Sequence, residues 1–256
     1  MSQRRKLFYY LLGLLILLAL WFIGSLIMEW VFSHEPAKAR AFPDPIMAFQ
    51  AIYNSWSELG RNLLASGVRV LLGLLLAIAV AAPLGLLIGH EEALDRIFSP
   101  IIYITFPIPK IVFLPLLFVL FGLSELSIVL TIALIVAFQT LLAARDAARN
   151  VPPDYVLSVK SAGANKWQVY RHVIIPASLP EVLASVRVSI GIAIAALYLA
   201  ETTGVNSGLG YFLLSARRRF SFEDLFAGIM IMSLLGLLLY GLLDLLERLL
   251  CRWKYL

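Results

Sequence analysis

Charged residues are scarce in this sequence. Asp, Glu, Lys and Arg make up 14% of its 256 residues, whereas 61% of the residues are hydrophobic. Because a soluble domain carries roughly 25% charged residues, this composition excludes an ordinary soluble protein. It indicates an integral membrane protein instead.

Residues that commonly bind metals or perform catalysis are also few. Cys251 is the only cysteine, so the chain has no internal disulfide, and a membrane-proximal, unreactive thiol is the simplest interpretation. His34, His90 and His172 are isolated from one another, so no metal site is predicted. The sequence also lacks HExxH, a Ser/His/Asp set and paired carboxylates within an apolar run, so we predict no catalytic residues and no membrane-embedded enzyme.

The sequence has no glycine-rich loop followed by Lys and Ser or Thr, which is the usual phosphate-binding motif. No cofactor is therefore predicted to bind this chain. If its function depends on ATP, another chain must hydrolyse the nucleotide. The net charge of +5 is weak support for nucleic-acid binding, because no basic stripe interleaved with aromatic residues lies in a soluble domain.

Six apolar runs dominate the chain, at about residues 7–33, 62–89, 97–121, 126–144, 182–200 and 224–247. A helix needs about 20 residues, at about 1.5 Å each, to cross the hydrocarbon core. We therefore predict a single all-α membrane domain over residues 1–256 with six transmembrane helices. The first run is too long, and too rich in aromatic residues, for a cleaved signal peptide.

Basic residues cluster at both chain ends and between the fourth and fifth runs. They are Arg4, Arg5, Lys6, Arg248, Arg252 and Lys254 at the ends, and Arg145, Arg149, Lys160, Lys166 and Arg171 between the runs. The positive-inside bias therefore predicts cytoplasmic N- and C-termini. Two groups depart from this bias: Glu91, Glu92 and Asp95 fall on the cytoplasmic side, and Arg217–Arg219 on the other.

The stretch between the fourth and fifth runs, residues 145–181, is too polar to cross a bilayer, and we call it the polar segment. Pro153 suits a first helical turn, Gly163 interrupts the helical pattern, and Asn165 suits a helix N-cap. Pro176 is predicted to end the second helix about three turns later. The pattern predicts two short cytoplasmic helices joined at Gly163, suited to binding a soluble partner.

Part of the polar segment resembles the coupling-loop signature of permease subunits of ATP-binding-cassette (ABC) importers. That signature is EAA, three residues, G, nine residues and I-x-L-P. The spacing from Gly163 to Pro176 matches it, whereas Leu157, Ser158 and Val159 replace Glu-Ala-Ala. The residues that the resemblance assigns to ATPase coupling are Leu157, Ser158, Val159, Gly163, Ala164, Trp167, Tyr170, Val173, Ile175 and Pro176.

Further patterns resemble the permeases of nitrate, sulfonate, taurine and bicarbonate importers, over about residues 42–250. They are Phe42-Pro-Asp-Pro, Pro107-Ile-Pro, the stretch 114–125, Ala200-Glu and Gly208-Leu-Gly-Tyr211. The resemblance implies the type I (MetI-like) importer fold and a translocation path for a small, anionic solute. It also implies a second permease copy, two ATPases that hold ATP and Mg, and a periplasmic or lipid-anchored substrate-binding protein. A secondary transporter or channel independent of ATP remains an alternative, because broken helices suit it too.

Trp167, Tyr170 and Val173 or Ile174 fall on one helical face. This face is predicted to anchor in a groove of an ATPase; the alternative is that it packs on the permease's own helix ends. Between Gly73 and Gly89, small residues recur every four positions and predict a helix-packing stripe rather than a pore-lining face.

Four polar residues are candidates for the translocation path: Lys110, Gln139, Arg187 and Glu201. Three prolines near Lys110 predict a broken helix, so Lys110 either lines a cavity or reaches an interface. Arg187 either attracts an anion or reaches cytoplasmic headgroups. Gln139 and Glu201 are candidates of the same kind, and Glu201 is expected at the outer interface.

Arg217, Arg218 and Arg219 form a basic patch that is predicted to lie on the extracytoplasmic side. The patch is a candidate for docking the binding protein or for steering an anionic substrate. The alternative is a solvated loop that touches lipid headgroups.

Overall fold

The structure is a computed structural model that describes residues 3–35, 38 and 40–254. These residues form helices and contain no strand. The α-helices are α1 (Gln3–Val31), α2 (Pro45–Asn54), α3 (Trp56–His90), α4 (Glu92–Thr105), α5 (Leu114–Phe121), α6 (Glu125–Arg149), α7 (Pro153–Ser161), α8 (Lys166–Val169), α9 (Ile175–Gly204), α10 (Leu209–Arg218) and α11 (Phe222–Leu250). Short 3₁₀ turns follow at Lys110–Phe113 and Arg252–Lys254.

Five stretches of helix are long and apolar enough to cross a membrane: residues 12–31, α3, α6, α8 continued through α9, and α11. A sixth span consists of α4 and the helical stretch Lys110–Phe121, which meet at an angle of 82°. The six predicted spans are therefore confirmed. The third is broken, as its prolines predict, because proline removes a backbone donor and blocks helix continuation.

Helices α3 and α6 pack closely at the centre of the molecule, and the small residues of α3 permit this. A Cβ atom on Gly73 would lie 2.6 Å from Ile132 Cγ2, and one on Gly85 would lie 2.7 Å from Ala144 Cβ. Both distances are too short for a side chain. The stripe is therefore a packing face, as predicted.

The main core lies where α3, α6, α9 and α11 meet, and α10 closes one end of it. Its buried side chains include Val70, Ile132, Ile190, Phe212 and Leu235. Helix α1 lies at the edge, and most of its side chains between residues 12 and 31 are exposed. It is attached through Trp21, whose indole Nε1 donates a hydrogen bond to the Pro43 carbonyl at 3.0 Å.

The polar segment contains the two predicted helices, α7 and α8. They are joined at Gly163, whose φ of +85° is the left-handed conformation that glycine favours. Asn165 caps α8 through a capping box with Gln168, so the predicted cap is confirmed.

The prediction that Pro176 ends the second helix is wrong. Helix α8 continues through a π-helical turn, Tyr170–Ile174, directly into α9. The wider turn ends just before the proline, so Pro176 occupies the first turn of α9, where its missing N–H costs little. The second cytoplasmic helix and the fifth span are therefore one continuous helix.

Candidate functional site

The two ends of the helix bundle carry different candidate sites. The end that holds α7, α8 and the 251–254 turn is called the α7 end. The opposite end holds the 40–55 and 205–221 connections and is called the far end.

Tyr170 attaches the polar segment to the bundle at the α7 end. Its hydroxyl donates to Glu91 Oε1 at 3.3 Å, and its ring lies edge-on to His90 with centroids 5.0 Å apart. Lys166 Nζ lies 3.9 Å from the same Glu91 oxygen. The base of α8 is thus fixed to the end of α3.

The face predicted to anchor in an ATPase divides into two parts. Val173 and Ile174 are buried with Leu86 and Val182 in a small core between α8, α9 and α3, so they pack on the permease's own helices. Trp167 points the other way and is 67% exposed. Of this set, only Trp167 is exposed.

The remaining predicted coupling residues differ in exposure. Those that are exposed are Leu157, Ser158, Gly163 and Ile175, and those that are half-buried are Val159, Ala164 and Pro176. The exposed surface of the polar segment thus runs from Leu157 on α7 to Trp167 on α8. It includes two large apolar side chains that no part of the described chain covers.

Ion pairs at the α7 end account for the acidic residues that depart from the positive-inside bias. Asp95 Oδ1 accepts from Arg145 Nε at 2.6 Å, and Asp95 Oδ2 accepts from Arg149 at 3.0 Å. Glu92 pairs with Arg96 at 3.3 Å. The acidic residues neutralise basic neighbours on the same side, which fits the weak influence of carboxylates on orientation.

Lys110 lies at the break in the third span. Its Nζ donates to the carbonyl oxygens of Thr105 at 2.8 Å and Phe106 at 2.5 Å, and lies 4.4 Å from the centre of the Phe138 ring. These carbonyls are at the C-terminal end of α4, where the partial negative charge of a helix favours a cation. Lys110 therefore stabilises the broken backbone, and its side chain is half-buried.

Gln139 lies close to this break. Its Oε1 accepts a hydrogen bond from Ser189 Oγ at 2.5 Å, so its two amide N–H groups remain as donors. The residues around it form an open cavity of about 390 Å³, lined by Phe106, Gln139, Leu142, Ala143, Asp146, Ser185 and Val188. Because Phe106 contacts Lys110 and also lines the cavity, Lys110 and Gln139 lie in the same region.

Arg187 is in a different environment from either arrangement expected for it. Its guanidinium lies 3.3 Å from Asp244 Oδ1 and also pairs with the buried Glu247, which accepts from Lys254 at 2.8 Å. These contacts join α9 to the end of α11. Cys251 is buried beside them, and this burial raises the pKa of its thiol, in keeping with an unreactive role.

Glu201 lies inside the far end of the bundle rather than at an interface. It is completely buried, and its carboxylate accepts from Ser66 Oγ at 2.8 Å, from Arg69 at 2.6 Å and from the Gly210 amide at 2.7 Å. The last contact places a carboxylate at the N-terminus of α10, which is electrostatically favourable.

Arg69, the partner of Glu201, is the most important residue that the sequence analysis missed. On the other side of its guanidinium group, Nε and Nη2 donate to the Glu125 carboxylate at the start of α6, and Nη2 lies 2.5 Å from Oε1. Nη1 also donates to the Ser207 carbonyl at 2.9 Å. Arg69 therefore joins α3, α6, α9 and the connection before α10. An arginine inside an apolar run is itself a signal of such a site.

The connection before α10 fits closely against this ion-pair network. The Gly208 amide donates to Asn62 Oδ1 at 2.8 Å, and the Leu209 amide donates to Ser66 Oγ at 2.8 Å. Gly208 has a φ of +106°, and a Cβ atom there would meet Arg69 and Glu201. The Gly-Leu-Gly pattern is thus explained by close contact with buried charges.

Arg217, Arg218 and Arg219 are exposed at the end of α10, away from this network. Arg219 lies 3.6 Å from Asp224 Oδ2. The predicted residues thus fall into four places: the α7 end, the cavity near Gln139, the α9–α11 contact and the far end.

Comparison with known proteins agrees with this architecture. The family model described as "Binding-protein-dependent transport system inner membrane component" matches residues 81–251. The taurine transport system permease protein TauC of Escherichia coli (strain K12) is 31% identical over 197 residues, which cover 77% of this chain and 72% of TauC. SsuC of Bacillus subtilis (strain 168), named as an aliphatic sulfonates transport permease, is 31% identical over 258 residues, 98% of this chain and 90% of SsuC.

A solved structure has the same fold. The inward-facing MetNI methionine ABC transporter superposes with a TM-score of 0.63 at 19% identity, over 77% of this chain and 98% of that chain. The predicted MetI-like, all-helical fold is confirmed. The chain therefore belongs to the binding-protein-dependent transport system inner membrane component family, as a permease subunit of the ABC importer type.

Proposed function

We propose that this chain forms, with a second copy of itself, the translocation path of an ATP-driven importer for a small sulfonate such as taurine. Two separate ATPase subunits would hold ATP and Mg, and a substrate-binding protein would deliver the solute. The similarity to TauC and SsuC supports the substrate class. The chain would lie in a bacterial or archaeal cytoplasmic membrane with both termini and the α7 end in the cytoplasm.

The observation that carries this proposal is the construction of the polar segment. Leu157 and Trp167 are exposed on two short helices, and the second helix is continuous with α9. A soluble ATPase that binds Trp167 on α8 would therefore move the transmembrane helix α9 directly. Such a rigid connection suits a transporter that is driven by domain motion in another subunit.

The path itself is proposed to pass the cavity beside Gln139. This cavity lies next to the broken third span, and irregular backbone at membrane depth is tolerated where it lines a watery space. The amide of Gln139 supplies uncharged donors for a sulfonate, and Lys110 supplies positive charge nearby. Arg187 is assigned to helix packing instead, because two carboxylates of α11 balance its charge.

The experiment that tests the proposal is mass spectrometry of the tagged complex purified from its native membrane, with the Trp167→Ala variant in parallel. We expect two ATPase copies for every two copies of this chain. Trp167→Ala should lose most of the ATPase, because a large apolar contact is removed from the centre of the proposed interface. The permease itself should be as stable as the wild type, since the side chain is exposed.

Trp30→Ala is the matched control, because Trp30 is equally large and is 80% exposed at the far end. It should retain the ATPase. If the wild-type chain is purified without any ATPase under mild conditions, the proposed mechanism is refuted. If Trp167→Ala retains a full complement of ATPase, the coupling role of α8 is refuted.

A further inference from the structure

The buried Arg69 contacts more negative charge than it needs. Its guanidinium donates five hydrogen bonds, which are shared among Glu125, Glu201 and Ser207, so every N–H group has an acceptor. One positive charge therefore faces two carboxylates. Because one carboxylate is enough to balance the charge of Arg69, the contact with the other is available for exchange.

The two carboxylates differ in what else binds them. Glu201 is completely buried, and it also accepts hydrogen bonds from Ser66 and the Gly210 amide. In the described parts of the chain, the side chain of Glu125 forms hydrogen bonds and ion pairs with Arg69 alone, and it is 67% exposed. Glu201 is therefore the fixed partner of the arginine, and Glu125 is the exchangeable one.

Glu125 can leave Arg69 at small cost. It is the first residue of α6, where the positive end of the helix stabilises a carboxylate whether or not an arginine is near. Because its side chain is already largely exposed, a change of rotamer moves its charge fully into water. The Nε and Nη2 edge of Arg69 then faces the exposed side of the protein, where the carboxylate was.

The vacated edge has the chemistry that binds a small oxyanion. The two nitrogens form a planar fork that matches a pair of oxygens on one anion. Ser207 Oγ accepts from Nη2 at 2.6 Å, so its own O–H remains available as a further donor. An anion bound here keeps the charge balance of the buried site, since it takes the place of one carboxylate.

We propose that Arg69 is an anion-exchange site, at which a small sulfonate displaces the Glu125 carboxylate. The inference rests on the proposed function, which makes the solute a sulfonate and places the far end on the outer side of the membrane. Fourteen residues of α6 separate Glu125 from Gln139, which is about 21 Å along the helix and about 40° around it. The exchange site therefore lies outward of the Gln139 cavity, on nearly the same face of α6. Glu125 returns to Arg69 when the sulfonate moves on.

The first test is carboxylate labelling of the wild-type chain. The whole chain, in nanodiscs of zwitterionic lipid, is treated with a carbodiimide and an amine, and the modified residues are identified by mass spectrometry. The probe is sodium methanesulfonate, compared with sodium chloride at the same ionic strength. Methanesulfonate is preferred to taurine here because it has no amino group to take part in the labelling reaction.

Methanesulfonate should raise the labelling of Glu125 severalfold, because the released carboxylate loses the cation that shields it and keeps it ionised. Glu92 is the control within the same sample. It too lies in the first turn of a helix and pairs with an arginine, but that arginine, Arg96, is exposed. Labelling of Glu92 should not change.

The second test opens the site permanently with Glu125→Ala. In chloride this variant should melt at a lower temperature than the wild type, and methanesulfonate should restore most of the loss by binding to Arg69. Dimethyl sulfone, which has a similar shape and no charge, should restore none of it. The comparison with the wild type isolates Arg69, since both proteins contain the Gln139 cavity. Glu92→Ala is the matched control variant and should gain no stability from methanesulfonate.

Either of two results would overturn the inference. One is labelling of Glu125 that methanesulfonate leaves unchanged or raises no more than that of Glu92. The other is a Glu125→Ala variant that acetate stabilises and methanesulfonate does not, because the site would then accept carboxylates and exclude sulfonates.

The failure of this inference can be distinguished from that of the proposed function, because neither measurement needs the ATPase. A chain that retains its ATPase but shows no exchange refutes the Arg69 site alone. A chain that is purified without any ATPase refutes the proposed function, whatever the labelling of Glu125 shows.

Discussion

Replacing Glu201 with leucine is predicted to be among the most damaging single changes in this protein. Leucine has a similar volume, so the change creates little empty space. It removes the carboxylate that accepts hydrogen bonds from Ser66, Arg69 and the Gly210 amide. Three buried donors, the Arg69 guanidinium, the Gly210 N–H and the Ser66 hydroxyl, then lose a partner.

The magnitude is worked from the losses at Arg69 and at the Gly210 amide. Removing one member of a buried ion pair costs about 3–5 kcal/mol, and the lower figure applies because Arg69 keeps Glu125 and Ser207. An unsatisfied buried amide adds about 1 kcal/mol or more. We therefore expect Glu201→Leu to lower the free energy of unfolding by about 4 kcal/mol.

The assay is reversible unfolding of the purified chain in mixed micelles, applied to a double-mutant cycle. Arg69→Met and Glu201→Leu are measured singly and together. The double variant should be less destabilised than the sum of the two, because it leaves no unpaired arginine beside the leucine. Two results would show that the two side chains do not depend on each other. One is a decrease in the free energy of unfolding below about 1 kcal/mol for Glu201→Leu, and the other is a decrease in the double variant that equals the sum of the two single decreases.

Two other predictions concern the polar segment and the cavity. Gly163→Ala should destabilise the chain by about 1 kcal/mol because of its positive φ, whereas Gly60→Ala in α3 should stabilise it by about 0.5–1 kcal/mol, since Gly60 is in regular helix with open space around it. Thermal unfolding of both variants checks this, and equal shifts would contradict it. Gln139→Leu should raise the KM for taurine uptake by roughly tenfold through loss of a donor to the sulfonate; an unchanged KM would remove the cavity from the path.

The spans were predictable because hydropathy is a local property. Each apolar run exceeds the length needed to cross the bilayer, whatever surrounds it. The break in the third span was also local, since prolines act on their own helix. Pro176 was misjudged because the π turn at Tyr170–Ile174, which widens the helix before the proline, has no such simple signal in the sequence.

The polar contacts were far less predictable, because their partners are distant in sequence. Arg69, Glu125 and Glu201 are separated by 56 and 76 residues, and only the packing of α3, α6 and α9 brings them together. A single charge in an apolar run indicates that a partner exists but does not identify it. For this reason Glu201 was expected at an interface, and the pairing of Arg187 with α11 was not foreseen.

One helix connects the separate sites. From Lys166 to Gly204 the chain is helical for 39 residues, or about 58 Å at about 1.5 Å per residue. This continuous helix begins next to Trp167 at the α7 end and ends close to Glu201 at the far end. Between them, Ser189 donates a hydrogen bond to Gln139 beside the cavity. If an ATPase moves α8, the displacement reaches the far end without passing through any loop. This continuous helix can bend at the π turn and at Pro180, because both interrupt its regular backbone hydrogen bonds.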